Sequence, residues 1–258
     1  MSASGVLAIP PALGYWSPGL VAEAVGQLAA WSAMAKADFQ LRPLAGIAGE
    51  VRMGTDADPG AELDLRVVIE RSDEDAVAYN GAASLDGVRV LELDRCLGPM
   101  FPMRDYDAPD AMKARFDALC GPGAPTDRFR PLQRADMEVV DHDPGQRLRA
   151  TLAVPEDAAF FSDHFPRRPV YPATLLLDHQ LELVRRLVFG ASPPEDGRRA
   201  VVRVTDVKMR AFVLPGQTVA IEAQVKSSGQ GATHIAITAR VNGKRVSSGR
   251  AESGIGQA

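Results

Sequence analysis

Val51–Gly60 reads VRMGTDADPG and Val207–Gly216 reads VKMRAFVLPG. Both open on Val-basic-Met and close on Pro-Gly, at an offset of 207 − 51, or 156 residues. The offset persists downstream, where Leu85–Val90 (LDGVRV) falls on Val241–Val246 (VNGKRV) and Gly87 on Gly243. Agreement of both turns without a gap marks an internal repeat, which governs every other reading of the chain. Each copy reads as a strand, a Pro-Gly turn, a long alternating strand and a hairpin. Leu63, Leu65, Val67 and Ile69 alternate with polar residues in the first copy, and Val219, Ile221, Ala223 and Val225 in the second. Period two places one face of a strand in a core. Asp86–Gly87 and Asn242–Gly243 are the residue pairs preferred in two-residue hairpin turns.

An apolar helix precedes each copy. PGLVAEAVGQLAAWSAM starts at Pro18 and PATLLLDHQLELVRRLV at about Pro172. Proline suits the first position of a helix. The first helix is apolar on nearly every side, as a helix enclosed by its own domain must be. The expected class is therefore α+β, with two long central helices wrapped by antiparallel sheets. The halves differ at the front. Before Pro172 there is room for a strand pair, Ala135–Val140 and Gln146–Val154, joined by DHDPG. Only 17 residues precede Pro18, too few for that hairpin and a loop. The reading divides the chain into a truncated unit at 1–95, a linker with a short helix at 96–130 and a full unit at 131–258. In the linker Asp107 is the expected N-cap, Pro109 lies near the helix start, and GPGAP reads as a spacer.

Composition narrows the function classes. Net charge is -4, with 46% hydrophobic and 24% charged residues, as in ordinary globular proteins. Nucleic-acid binding would want a basic face. Cys96 and Cys120 fit no metal-ligand spacing, and no apolar run reaches the roughly 18 residues of a membrane span. The N-terminal segment lacks the basic start of a signal peptide. A cytoplasmic location is expected, without metal or organic cofactor.

Polar residues on the two apolar helices are the first candidates for chemistry. Glu23 and Gln27 share one face at i, i+4, and so do Asp178 and Glu182. A carboxylate in such surroundings needs a partner or a proton. Of the four histidines, His142, His179 and His234 read as structural or solvated. His164 differs: it follows Phe160–Phe161 and leads into the proline-stiffened loop FPRRPVYP.

His164-Phe165-Pro166-Arg167-Arg168-Pro169-Val170-Tyr171-Pro172, with Asp178 fourteen positions after the histidine, resembles the signature of the hot-dog-fold 3-hydroxyacyl-acyl-carrier-protein dehydratases, H-F-P-G-x-P-x-x-P-G. The resemblance covers residues 135–252 well and 14–95 more weakly. There the acid-x-x-x-Gln element survives as Glu23 and Gln27. Arg167 and Ala173 stand where the family has glycine, and alanine still supplies a backbone N–H at the helix start.

The resemblance implies a double hot-dog whose site forms between units, the histidine of one working with the acid on the helix of the other. No histidine precedes His142, so one pair is expected, His164 with Glu23, supported by Gln27. Asp178 is the alternative acid. In the implied reaction His164 takes the proton next to a thioester carbonyl, an N–H of Gly19 or Ala173 steadies the enolate-like oxygen, and Glu23 protonates the departing hydroxyl. The space between helices and sheet would receive the acyl chain. The implied partner is an acyl carrier protein bearing a 3-hydroxyacyl phosphopantetheine thioester, in fatty-acid or polyketide-type synthesis. Arg167, Arg168, Arg185, Arg186, Lys208 and Arg210 are candidates to meet its acidic surface. The fused halves allow a monomer or a homodimer. Two other readings are weighed beside this one: a hot-dog thioesterase, and a non-catalytic module that binds acyl chains or carrier protein.

Overall fold

The computed structural model describes residues 1–11, 17–123, 135–190, 201–229 and 231–254. The part of the expected spacer from residue 124 onward lies outside them. In the first half, β1 (Ser2–Ala8) leads to α1 (Pro18–Lys36), then β2 (Leu41–Pro43), β3 (Ile47–Met53), β4 (Glu62–Ser72), β5 (Ala76–Leu85) and β6 (Val88–Pro102). A linker helix, α2 (Pro109–Cys120), follows. The second half runs β7 (Met137–Asp143), β8 (Arg147–Ala153), α3 (Ala173–Phe189), β9 (Arg203–Met209), β10 (Thr218–Gly229), β11 (Ala232–Val241) and β12 (Lys244–Gly254).

The 156-residue offset carries the first residues of β4, β5 and β6 onto those of β10, β11 and β12. Both hairpin turns adopt the backbone their residues predict. Asp86 and Gly87 have φ of 49° and 80°, and Asn242 and Gly243 of 49° and 75°. The strands form one sheet in the order β1-β4-β5-β6-β3-β9-β12-β11-β10-β8-β7, with β2 beside β6. The halves meet where β3 pairs antiparallel with β9. There Ile47 faces Lys208 and Arg52 faces Arg203, pairs that the offset converts into one another. The seam thus has the register of a twofold dimer interface.

Alternation puts the predicted residues inside. Leu63, Leu65, Val67 and Ile69 of β4 are buried, as are Val219, Ile221 and Ala223 of β10. One core joins Val21 and Val25 of α1, Leu175 and Leu183 of α3, and both halves of the sheet. This is the α+β double hot-dog the sequence led us to expect. At about 1.5–3 kcal/mol for each large apolar side chain, that shared core is the main term holding the halves together.

The front of the first half holds more than expected. β1 pairs with β4, Ala8 facing Glu62, just as β8 pairs with β10, Ala153 facing Thr218. β1 therefore stands where β8 stands in the second half. The interval between strand and helix is also shorter: β1 ends at Ala8 and α1 starts at Pro18, whereas β8 ends at Ala153 and α3 starts at Ala173.

Candidate active site

α1 starts as its sequence dictates. Ser17 is the N-cap, its hydroxyl accepting from Leu20 N at 3.2 Å, and Pro18 follows. α3 has Pro172 as its N-cap and no side-chain cap. Aligned on these caps, Gly19 matches Thr174, Glu23 matches Asp178, and Gln27 matches Glu182. The helices approach closely here. A Cβ on Gly19 would lie 2.6 Å from the Thr174 carbonyl oxygen and 2.5 Å from Asp178 Oδ1, so only glycine fits.

At this crossing each acid is held by the start of the opposite helix. Thr174 Oγ1 donates to Glu23 Oε2 at 2.8 Å, while Gln27 Nε2 donates to Glu23 Oε1 at 2.9 Å. Ser17 Oγ donates to Asp178 Oδ2, and Gly19 N–H donates to Asp178 Oδ1 at 2.8 Å. Asp178 thus sits at the positive end of α1, where a carboxylate is stabilised. The expectation that Gly19 N–H serves a substrate oxygen is corrected here, because that donor is already taken by Asp178. Glu182, the counterpart of Gln27, pairs within its own helix. It holds Arg185 at 2.7 Å and Arg186 at 2.8 Å. Burial opposes its ionisation, but the two guanidinium groups prevail and bring its carboxyl down to about 2.

His164 lies on the loop between β8 and α3, after a short 3-10 turn at Ala159–Ser162. Its N–H donates to Phe160 O at 2.8 Å. The loop then closes on itself, Val170 N–H donating to His164 O at 3.0 Å and His164 Nδ1 lying 3.0 Å from Val170 O. A carbonyl can only accept, so Nδ1 carries a proton in this contact, and in the neutral ring the free lone pair is therefore on Nε2. The imidazole stacks on Phe165, with ring centroids 4.3 Å apart. Tyr171 N–H fixes the far end of the loop on Val213 O at 2.7 Å. Val170 O and Thr174 are four residues apart, so one short stretch orients His164 at one end and holds Glu23 at the other. Burial lowers the pKa of Arg42 to about 10, while the negative charges of Asp107 and, more weakly, Glu23 oppose the shift.

Thr174 and Arg42 were not among the sequence candidates. Thr174 was findable as the polar residue in place of Gly19 on the opposite helix; nothing in the sequence ties Arg42 to the site. The expected N-cap is also corrected. Ala108 caps α2, and Asp107 Oδ1 accepts from Ala108 N–H at 2.8 Å while Oδ2 lies 3.8 Å from Arg42 Nη1. His142 and His234 are exposed. His179 is buried, with its Nε2 2.9 Å from Tyr171 OH.

The basic residues singled out for carrier binding have different surroundings. Arg167 Nη1 donates to Arg104 O at 2.7 Å, and the Arg168 guanidinium lies 4.9 Å over the ring of Phe212. Arg185 and Arg186 hold Glu182. Arg210 Nη2 is 3.5 Å from Ser248 Oγ, and Lys208 is exposed on β9. A groove of about 610 Å³ on the second half, lined by Arg203, His234 and Arg250 among others, shares no residue with the His164 loop or the long helices. Among the described residues there is no group of three or more His, Cys, Asp or Glu able to hold a metal, and no helix long and apolar enough to cross a membrane.

A histidine loop, two crossed helices and one continuous sheet make this a hot-dog protein, and the relatives place it among the dehydratases. Residues 140–250 match the ApeI-like dehydratase family model. The 3-hydroxyacyl-[acyl-carrier-protein] dehydratase FabZ of Geobacter metallireducens is 30% identical over 108 residues, which are 41% of this chain and 72% of that protein. FabZ of Wolbachia pipientis wMel is 28% identical over 89 residues, 34% of this chain and 62% of its own length. Among solved structures, a MaoC-like dehydratase aligns with a TM-score of 0.55 at 15% identity, covering 94% of this chain and 86% of the other. The 12:0-ACP thioesterase from Umbellularia californica aligns at 0.59 and 13%, covering 97% and 93%. These two likenesses establish the fold alone. The chain belongs to the hot-dog-fold 3-hydroxyacyl-acyl-carrier-protein dehydratase family.

Proposed function

We propose that the protein removes water from a 3-hydroxyacyl thioester carried on acyl carrier protein, giving the trans-2-enoyl thioester, with His164 as base and Glu23 as acid. The observation that carries this reading is the contact of His164 Nδ1 with Val170 O, which leaves Nε2 as the proton acceptor. Nε2 takes the proton on the carbon next to the thioester carbonyl. The electrons pass to the carbonyl oxygen and return as the carbon–oxygen bond to the β-hydroxyl breaks, and Glu23 donates the proton that makes water of that hydroxyl. With Gly19 N–H held by Asp178, the N–H of Ala173 at the start of α3 is the candidate donor to the thioester oxygen. Gln27 and Thr174 each bond one oxygen of Glu23 and fix its direction. The names of the relatives support acyl carrier protein as the partner, and the arginines of the loop and of α3 are candidates to meet it.

Incubation of the protein with a 3-hydroxyacyl thioester of acyl carrier protein is expected to yield the enoyl thioester and no free thiol. His164→Ala should lower turnover by about 10²-fold or more, the usual contribution of a general base. Release of free thiol would instead support hydrolysis of the thioester, and binding without turnover would support a non-catalytic module.

A further inference from the structure

We propose that the segment joining the two halves is a bracket that sets the catalytic loop against the acid-bearing helix, with Arg42, Tyr106 and Asp107 as positioning residues for His164. The inference rests on the proposed roles of His164 and Glu23 and adds what holds them in mutual register. Base and acid come from different halves, so their separation is not fixed by either half alone.

The bracket grips the loop through several independent contacts. Tyr106, almost fully buried, meets Phe165 edge-on at 5.5 Å and Phe212 at 6.3 Å. Its carbonyl accepts from Arg167 N–H at 3.1 Å, and the Arg104 carbonyl accepts from the Arg167 guanidinium. Arginine in place of the family's glycine thus acquires a use: its side chain ties the loop to the bracket. Beneath the loop the guanidinium of Arg42, from β2, lies 4.0 Å over the ring of Phe165, the same ring on which His164 stacks. Arg42 is buried and Asp107 is its near counter-charge at 3.8 Å. Arg115 of α2 lies 4.0 Å from Asp107 and 3.2 Å from Asp163, the neighbour of His164.

The other end of the bracket grips α1. Met103, Met112 and Phe116 pack with Met34 and Trp31 of that helix and with Phe39 just beyond it. Phe116 meets Phe39 at 5.6 Å and Trp31 at 6.3 Å. Residues 103–116 therefore touch the helix that carries Glu23 on one side and the loop that carries His164 on the other. Asp107 is the sensitive point, because without it a buried guanidinium loses its counter-charge and the platform under Phe165 is free to shift.

The test uses the full chain and Asp107→Asn, with Asp107→Glu as the conservative variant. Misplacement of a catalytic group by about 1 Å can lower rates by about 10²-fold. Asp107→Asn is accordingly expected to lower kcat by about 10- to 100-fold with KM changed little, and Asp107→Glu to recover most of it. In a His164→Ala background, followed by single turnover, Asp107→Asn should lower the rate no further. Unchanged kcat in Asp107→Asn, or a loss that multiplies with that of His164→Ala, would overturn the proposal. If Asp107→Asn does not fold, Arg167→Ala, which removes the side-chain tie to Arg104, should lower kcat on a 3-hydroxyacyl pantetheine thioester that needs no carrier protein, and unchanged kcat on that substrate would overturn the bracket. If the unaltered protein dehydrates no 3-hydroxyacyl thioester, the proposed function fails by itself. The bracket is then read from ¹⁵N NMR of the His164 imidazole. The Nδ1–H tautomer should hold in the unaltered chain and be lost in Asp107→Asn, and an identical spectrum in both would refute it.

Discussion

Glu23 and Asp178 occupy the same turn of equivalent helices and have divided their labour. Glu23 accepts from two side chains, Thr174 and Gln27, and Asp178 from the capping end of α1. Their replacement should therefore fail in different ways. Glu23→Gln is expected to lower kcat by about 10²-fold or more and leave thermal unfolding nearly unchanged. Asp178→Asn should keep most of the turnover and lose about 0.5–2 kcal/mol of stability, the range for a lost helix N-terminal contact. Steady-state kinetics beside thermal melts of both variants separate the two roles, and the reverse pattern would move the acid to Asp178. At this scale the sequence was informative where a residue type is rare in its setting, as with His164 in a stiff loop or a carboxylate on an apolar helix. It was silent where the decisive partner comes from far along the chain, as Ser17 does for Asp178. That is why Gly19 N–H looked available to a substrate.

Among the elements, the crossing of α1 and α3 is the tightest constraint. A methyl group on Gly19 would strike backbone as well as the Asp178 carboxylate. Overpacking of this kind costs about 1–3 kcal/mol, more than the gain of up to about 1 kcal/mol that alanine brings to a helix. Gly19→Ala is thus expected to lower the melting temperature despite its better helix propensity, and a rise would show that the helices can slide apart. Strands and long helices were legible because their burial is periodic, and the hairpins because Asp-Gly and Asn-Gly admit positive φ. β1 was missed, since its residues SASGVLA alternate only weakly and its partner β4 lies more than fifty residues away. The linker shows a short helix and a GPGAP spacer in its sequence, but not its packing, for a related reason. Its Pro and Gly content signals turns, whereas its importance rests on Tyr106 against Phe165 and Asp107 against Arg42, contacts that no local pattern announces.

Over the whole molecule, the long helices and the strands that follow them repeat while the His164 loop does not. The stretch at residues 9–17 has neither a histidine nor the length of residues 154–172. One productive site per chain is the expected consequence. Calorimetric titration with an unreactive amide analogue of a 3-hydroxyacyl pantetheine thioester should reach one equivalent, and two would mean that the first half retains a competent pocket.

The β3–β9 seam keeps the register of a symmetric pair while lying within a single polypeptide. In an assembly of identical subunits every substitution appears twice, so neither copy can give up its chemistry without the other losing it too. A covalently joined pair escapes that constraint. Under the proposed function, one half is free to become a permanent brace for the His164 loop of the other, and its own substitutions then answer to that task alone.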